Sequence, residues 1–195
     1  MQSENKTVNI IESHGRICSI KERPNGEKIV TLFSKSGKLD IYPVFLCPKD
    51  INVDYPTHAR ICIKGYIRTY KNKEKRVVQE LIATSVESEK TMTEEAFGEK
   101  GKFFLEPKTL VYLKGNIDSF IVEEKWIRIK IKVRSESNKD KSYYINTSFK
   151  RPDRMPDFEK GKTISTVCSY TTPKKDIDEK IVYFGNILIL DAAIS

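Results

Sequence analysis

The same series of strand-like segments runs through this chain twice, about 100 residues apart, and this repeat limits the possible folds more than any single motif. In the first half Ile10–Ile20 leads to a turn at Pro24-Asn25-Gly26, then to Lys28–Lys35 and Leu39–Cys47. A connector rich in Pro and Asp gives way to Ala59–Tyr70 and Arg76–Val86. The second half repeats the order: Leu110–Phe120, a Glu123-Glu124 turn, Lys125–Ser135, Ser142–Phe149, a connector with Pro152 and Pro156, Thr163–Thr171 and Lys180–Leu190. Gly115 stands where Gly15 does, and Asp178–Val182 matches Lys73–Val78. Helical periodicity is missing throughout. Five strands with a break after the third is the layout of an OB-fold barrel. The expectation is therefore an all-β protein of two tandem five-stranded OB-fold barrels joined by a linker, over residues 1–87, 88–106 and 107–195. One ten-stranded sandwich is the alternative, but 87–106 is long for a loop inside one domain. Protease cleavage there should leave two folded fragments.

Residues 126–134 read Trp-Ile-Arg-Ile-Lys-Ile-Lys-Val-Arg. Strand side chains alternate between faces, so Ile127, Ile129, Ile131 and Val133 form an apolar side. Trp126, Arg128, Lys130, Lys132 and Arg134 form the other. Four cations on one face repel one another, and an anion lying across them would relieve that. An aromatic beside them suits single-stranded nucleic acid, whose bases stack while its phosphates pair with cations. A solvated sheet edge made soluble by its charges is the competing reading.

Charge is distributed in the same sense. The chain has 35 basic and 27 acidic residues, a formal net charge of +8. Residues 58–76 carry seven Lys/Arg against Glu74 alone, and residues 108–151 carry eleven against five acids. Between them, residues 87–106 hold six glutamates and three lysines. Two basic blocks around an acidic segment imply two binding surfaces. No apolar run is long enough to span a membrane, and Met1–Lys6 has no apolar signal-peptide core. Cys18, Cys47, Cys62 and Cys168 lack Cys-x-x-Cys spacing, and His14 and His58 stand apart. We therefore expect buried, reduced thiols in a cytoplasmic protein with no metal and no cofactor. Cys47 and Cys62 fall on the outward phase of their strands.

The first half resembles the bacterial single-stranded DNA-binding protein family. The resemblance rests on Gly15-Arg16-Ile17, on Pro24-Asn25-Gly26 followed by Ile29-Val30, on Ile63-Lys64-Gly65-Tyr66-Ile67-Arg68-Thr69, and on Glu80–Val86. It covers about 80 residues. The second half keeps the strand order but reads Cys168-Ser169-Tyr170-Thr171-Thr172 where the Gly-x-x-Arg-Thr signature would stand. The resemblance implies DNA bound on the fourth strand and the hairpin after it. It also exposes two departures. Ile41 and Asn72 occupy positions where the family usually has stacking tryptophans, so stacking would fall to Phe33, Phe45, Tyr66 or Tyr70. The family's acidic tail ending in Phe, which recruits other enzymes, has no counterpart in the final Leu-Asp-Ala-Ala-Ile-Ser.

The candidate nucleic-acid-binding residues follow from outward phase and charge. In the first half they are Phe33, Lys35, Phe45, Arg60, Lys64, Tyr66, Arg68 and Tyr70, with Lys71, Lys73 and Arg76 on the hairpin. In the second half they are Trp126, Arg128, Lys130, Lys132, Arg134, Tyr144 and Lys150. On the third strand Tyr42 and Val44 are expected to point inward. The expected function is non-catalytic binding of single-stranded DNA, largely independent of sequence, in replication, recombination or mobile-element transfer. RNA is the alternative ligand, since stacking alone does not read the sugar. A protein–protein adaptor built on the same barrels is a reading of another class. A homodimer could form through an exposed first strand. No phosphate-binding loop, nucleophile elbow or His-Glu-x-x-His pair supports an enzyme. Asp118, Glu123 and Glu124 lie at an exposed turn that cannot tune a catalytic carboxylate.

Overall fold

Hydrogen-bonded ladders in a computed structural model of the chain close into two rings of five strands. The structure describes residues 7–36, 38–88, 94–96, 102–104, 108–135, 141–153, 155–177, 180–183 and 185–195. The first ring contains β1 (Val8–Glu22), β2 (Lys28–Ser36), β4 (Val44–Cys47), β5 (Arg60–Lys71) and β6 (Val77–Ser88), with β3 (Leu39–Ile41) flanking β2. Strand β1 pairs with β2 and β5, β5 with β6, β2 with β4, and β4 runs parallel to β6. A short hairpin follows, β7 (Glu94–Ala96) with β8 (Lys102–Phe104), inside the segment expected to be a linker.

The second ring contains β9 (Thr109–Val122), β10 (Trp126–Arg134), β11 (Ser142–Lys150), β12 (Thr163–Thr171) and β15 (Asn186–Ile194). The hairpin β13 (Lys174–Ile177) with β14 (Lys180–Tyr183) joins the last two. Here β9 pairs with β10 and β12, β12 with β15, β10 with β11, and β11 runs parallel to β15. Each ladder of the first ring has its counterpart, down to the single parallel contact. This is the layout the repeat anticipates.

Alternation builds both interiors. On β10 Ile127, Ile129, Ile131 and Val133 are buried, and on β5 Ile61, Ile63 and Ile67 are buried. Gly15 and Gly115 hold equivalent places for one steric reason. A Cβ on Gly15 would collide with the Phe33 carbonyl oxygen, and one on Gly115 with that of Lys132. Only glycine lets the first strand of each ring curve this closely over the second. Gly26 takes a left-handed φ of 81° in the first hairpin turn, where Asn25 Oδ1 accepts from Glu27 N at 3.2 Å.

The rings are not separate beads. Strand β1 pairs antiparallel with β9 from Val8↔Lys114 to Ser13↔Thr109, so one continuous sheet runs through both. Buried hydroxyls fasten this seam. Ser13 Oγ lies 2.7 Å from Thr109 Oγ1, which donates to Ser34 Oγ at 3.1 Å, and Ser34 donates to the His14 carbonyl at 2.7 Å. Buried polar groups that satisfy one another in this way avoid the cost of lost hydration.

The phase expected for the third strand fails. Phe45 is 0% exposed, not outward, whereas Val44, expected inside, is 45% exposed. Between Asp40 and Cys47 both phases are largely apolar, so alternation alone cannot choose between them. The inward phase is the one through Ile41, Pro43, Phe45 and Cys47. Cys47 and Cys62, although on the outward phase by alternation, are buried as the thiols were expected to be, leaving Cys18 as the one partly exposed thiol; all four are free. Burial pushes the Cys47 thiol up to about 11.

Candidate nucleic-acid interface

Antiparallel partners share a face, so the outward row of β10 continues onto β11. Trp126 lies opposite Lys150, Arg128 opposite Ser148, Lys130 opposite Asn146, Lys132 opposite Tyr144 and Arg134 opposite Ser142. The row from Trp126 to Arg134 is roughly 26 Å long at strand rise. Trp126 is 38% exposed. It lines a recess of about 450 Å³ with Lys125, Lys150 and Arg151 around it. Glu124 and Asp153 also line it, so three cations outnumber two acids around an exposed indole that can stack a base while phosphates are held alongside. Lys132 Nζ sits 6.0 Å from the centre of the Tyr144 ring. Arg128 donates through Nε to Glu123 at 2.7 Å, and this hydrogen bond raises its pKa above the ordinary guanidinium value.

Next to this row, a groove of about 780 Å³ opens between the two rings. Its walls are the β5–β6 hairpin with Arg76 and Val77, the end of β9 with Phe120 and Ile121, and Arg128 and Lys130 of β10. Ile121 is 64% exposed and Val77 54%, so apolar surface stands open among cations. The hairpin has a fixed shape. Asn72 Oδ1 accepts from Glu74 N at 3.0 Å and Arg76 N at 2.9 Å, and Lys75 takes a left-handed φ of 60°. Asn72 thus stands in the expected tryptophan position as a turn-former. Lys71, Lys73 and Arg76 are exposed around it, Arg76 beside Glu74 at 3.3 Å.

The first ring's other candidates have different neighbours. Tyr66 stacks on Tyr143 of the second ring, centroids 6.0 Å apart and planes 27° from parallel. Burial raises its phenol pKa, with Tyr143 adding to the effect. Arg68 donates to Glu80 Oε2 through Nε at 3.2 Å and Nη2 at 2.5 Å, and lies 5.8 Å from the Tyr70 ring centre. Burial opposes its charge, and Glu80 more than offsets that, raising its pKa. The edge of β11 meets these strands directly. Tyr144 N donates to Thr69 Oγ1 at 3.0 Å and Asn146 N to Gln79 Oε1 at 2.5 Å. Part of the face expected to meet DNA is therefore the contact between rings.

Elsewhere, Lys35 pairs with Asp40 at 2.9 Å and Phe33 packs against Tyr42 at 5.8 Å. Lys64 is exposed and Arg60 half-buried on β5. Phe45, inside the core, offers no face to a base. Lys125, Arg151, Phe120 and Ile121 join the site without having been anticipated. The two cations immediately flank Trp126 and Lys150 in sequence, a signal that was available. Phe120 and Ile121 gave no comparable signal, because an apolar pair at a strand end reads as core.

A paired OB-barrel protein with an outward aromatic and cationic row is what fold and site together define. Solved structures agree on the fold. The chain is similar to a deletion mutant of the single-stranded DNA-binding protein from Thermus aquaticus, with TM-score 0.62 and 12% identity over 97% of this chain and 95% of that one. It is similar also to the wild-type protein from the same organism, with TM-score 0.61 and 13% identity over 97% and 94%. No family model and no curated protein matches the chain in sequence.

Proposed function

We infer that this chain binds single-stranded DNA without catalysis and with little dependence on sequence. The observation that carries this reading is the row on β10, where Trp126 and its cations face outward beside a groove that also holds Arg76. A strand would stack a base on Trp126, follow Lys150, Arg128 and Lys130 with its phosphates, and reach the first ring at the β5–β6 hairpin. The second ring is then the main platform, and the first contributes its hairpin rather than Tyr66 or Arg68. The solved structures of the same fold are single-stranded DNA-binding proteins, which supports the reading. Protection of unpaired strands in replication or recombination would follow from such binding. Among the described residues no helix is long and apolar enough to cross a membrane.

Titration with a poly-dT oligonucleotide, followed by Trp126 emission at several salt concentrations, tests the proposal. Each phosphate contact on a single strand contributes about −0.7 to the slope of log affinity against log salt, so five to seven contacts predict roughly −3.5 to −5. A slope near zero with unchanged emission would overturn it. Competition by a matched RNA oligonucleotide in the same titration decides whether the sugar is read.

A further inference from the structure

On the outer face of the first ring, away from the groove, three metal-ligating side chains converge across the β1–β5 ladder. Glu12 and His14 stand two residues apart on β1 and so leave the same face. Cys62 is the register partner of His14 on β5. Nε2 of His14 lies 2.7 Å from Glu12 Oε1 and 3.9 Å from Cys62 Sγ, and one ligand atom from each residue fits within 4.8 Å. Glu12 and His14 are half-buried, and Cys62 is 7% exposed, so the thiol is at the inner end of the cluster. Binding a nucleic acid through β10 and the groove uses none of the three.

We propose that Glu12, His14 and Cys62 form a zinc-binding site that clamps β1 to β5. Imidazole, thiolate and carboxylate are all zinc ligands. The thiolate and imidazole disfavour magnesium and calcium, which take oxygen. Zinc bonds of about 2.0–2.1 Å to nitrogen and 2.3 Å to sulfur, at a tetrahedral angle, put those two atoms roughly 3.6 Å apart. The 3.9 Å between Nε2 and Sγ is close to that without any backbone movement. Glu12, hydrogen-bonded to His14 at 2.7 Å, has to open to roughly 3.4 Å, a small rotation of a long side chain. Water can take the fourth position.

Charge sets the strength. Glu12 and the Cys62 thiolate neutralise the dication, and binding releases the thiol proton. Lys64 is the partner of Glu12 on β5, and Arg16 faces Arg60 next along the ladder, so nearby cations weaken the site. Affinity should therefore fall below that of a closed four-cysteine site.

Cobalt(II) titration of the full chain, kept reduced by a phosphine, tests the site directly. The expected result is one Co²⁺ per chain with a thiolate charge-transfer band, lost when Zn²⁺ is added. Cys62→Ser and His14→Gln should weaken uptake at least tenfold, and Cys18→Ser, altering the partly exposed thiol outside the cluster, should leave it unchanged. A missing thiolate band, or equal uptake by Cys62→Ser, would overturn the proposal. Where circular dichroism shows that Cys62→Ser does not fold, Glu12→Gln serves in its place: weaker uptake supports the site, and unchanged uptake refutes it.

Discussion

Trp126 is the only tryptophan, so one residue can be read in isolation. It is partly exposed while the opposite face of β10 is core, which separates its role in binding from its role in folding. Trp126→Ala should weaken oligonucleotide binding by about 1–3 kcal/mol, the usual value of a base–aromatic stack. The melting temperature should stay near that of the parent protein. A lowered melting temperature with undiminished affinity would make Trp126 a packing residue instead. Phe45 is the opposite case. Phe45→Ala removes a fully buried ring and should destabilise the fold by about 3–5 kcal/mol. Chemical denaturation measures it, and affinity per folded molecule should not change. The two aromatics look alike in sequence, each on a strand beside apolar neighbours. Trp126 could be oriented because one phase of its strand is charged throughout. Phe45 could not, because Tyr42, Val44 and Leu46 offer an equally apolar alternative.

At the level of elements, local pattern identified the ten strands of the two rings, because alternation and turn chemistry act over a few residues, but it missed the β7–β8 hairpin and the breaks that separate β3 from β4 and β14 from β15. Contacts between the repeats were not legible. Nothing within Ser142–Lys150 indicates that its edge will meet Thr69 and Gln79, or that Tyr143 will cover Tyr66. The β1–β9 ladder is equally long-range, and it changes what cleavage between the rings should do. A protease site engineered between Ser88 and Lys108 should give two fragments that still elute together from a sizing column. Six register pairs and the Ser13–Thr109–Ser34 hydroxyls hold them. Fragments that separate without denaturant would show that the seam contributes little.

The whole molecule should also respond to alkali. Burial pushes the Cys168 thiol from 9.0 to about 11 and the Tyr170 phenol from 10.0 to about 12, as it does the Cys47 thiol. These groups stay protonated in the fold while the unfolded chain releases their protons from about pH 9. The folded state then binds more protons, so its stability is complete below about pH 9 and falls as pH rises toward 11. Urea midpoints measured from pH 8 to pH 10.5 should drop steadily. A flat series would mean that the thiols are less enclosed than their surroundings indicate.

The seam between the rings has a further consequence. Ile11 pairs with Val111, and these are the same position of the two repeats, so the antiparallel ladder is centred on a point that relates one ring to the other. Two separate copies of a single ring would meet through just such a self-complementary edge. Tied into one chain, the two halves face each other at a fixed and high effective concentration. Their meeting is not governed by mass action between subunits. The groove between them therefore survives dilution, and a cell holding only a few copies would have every one of them assembled.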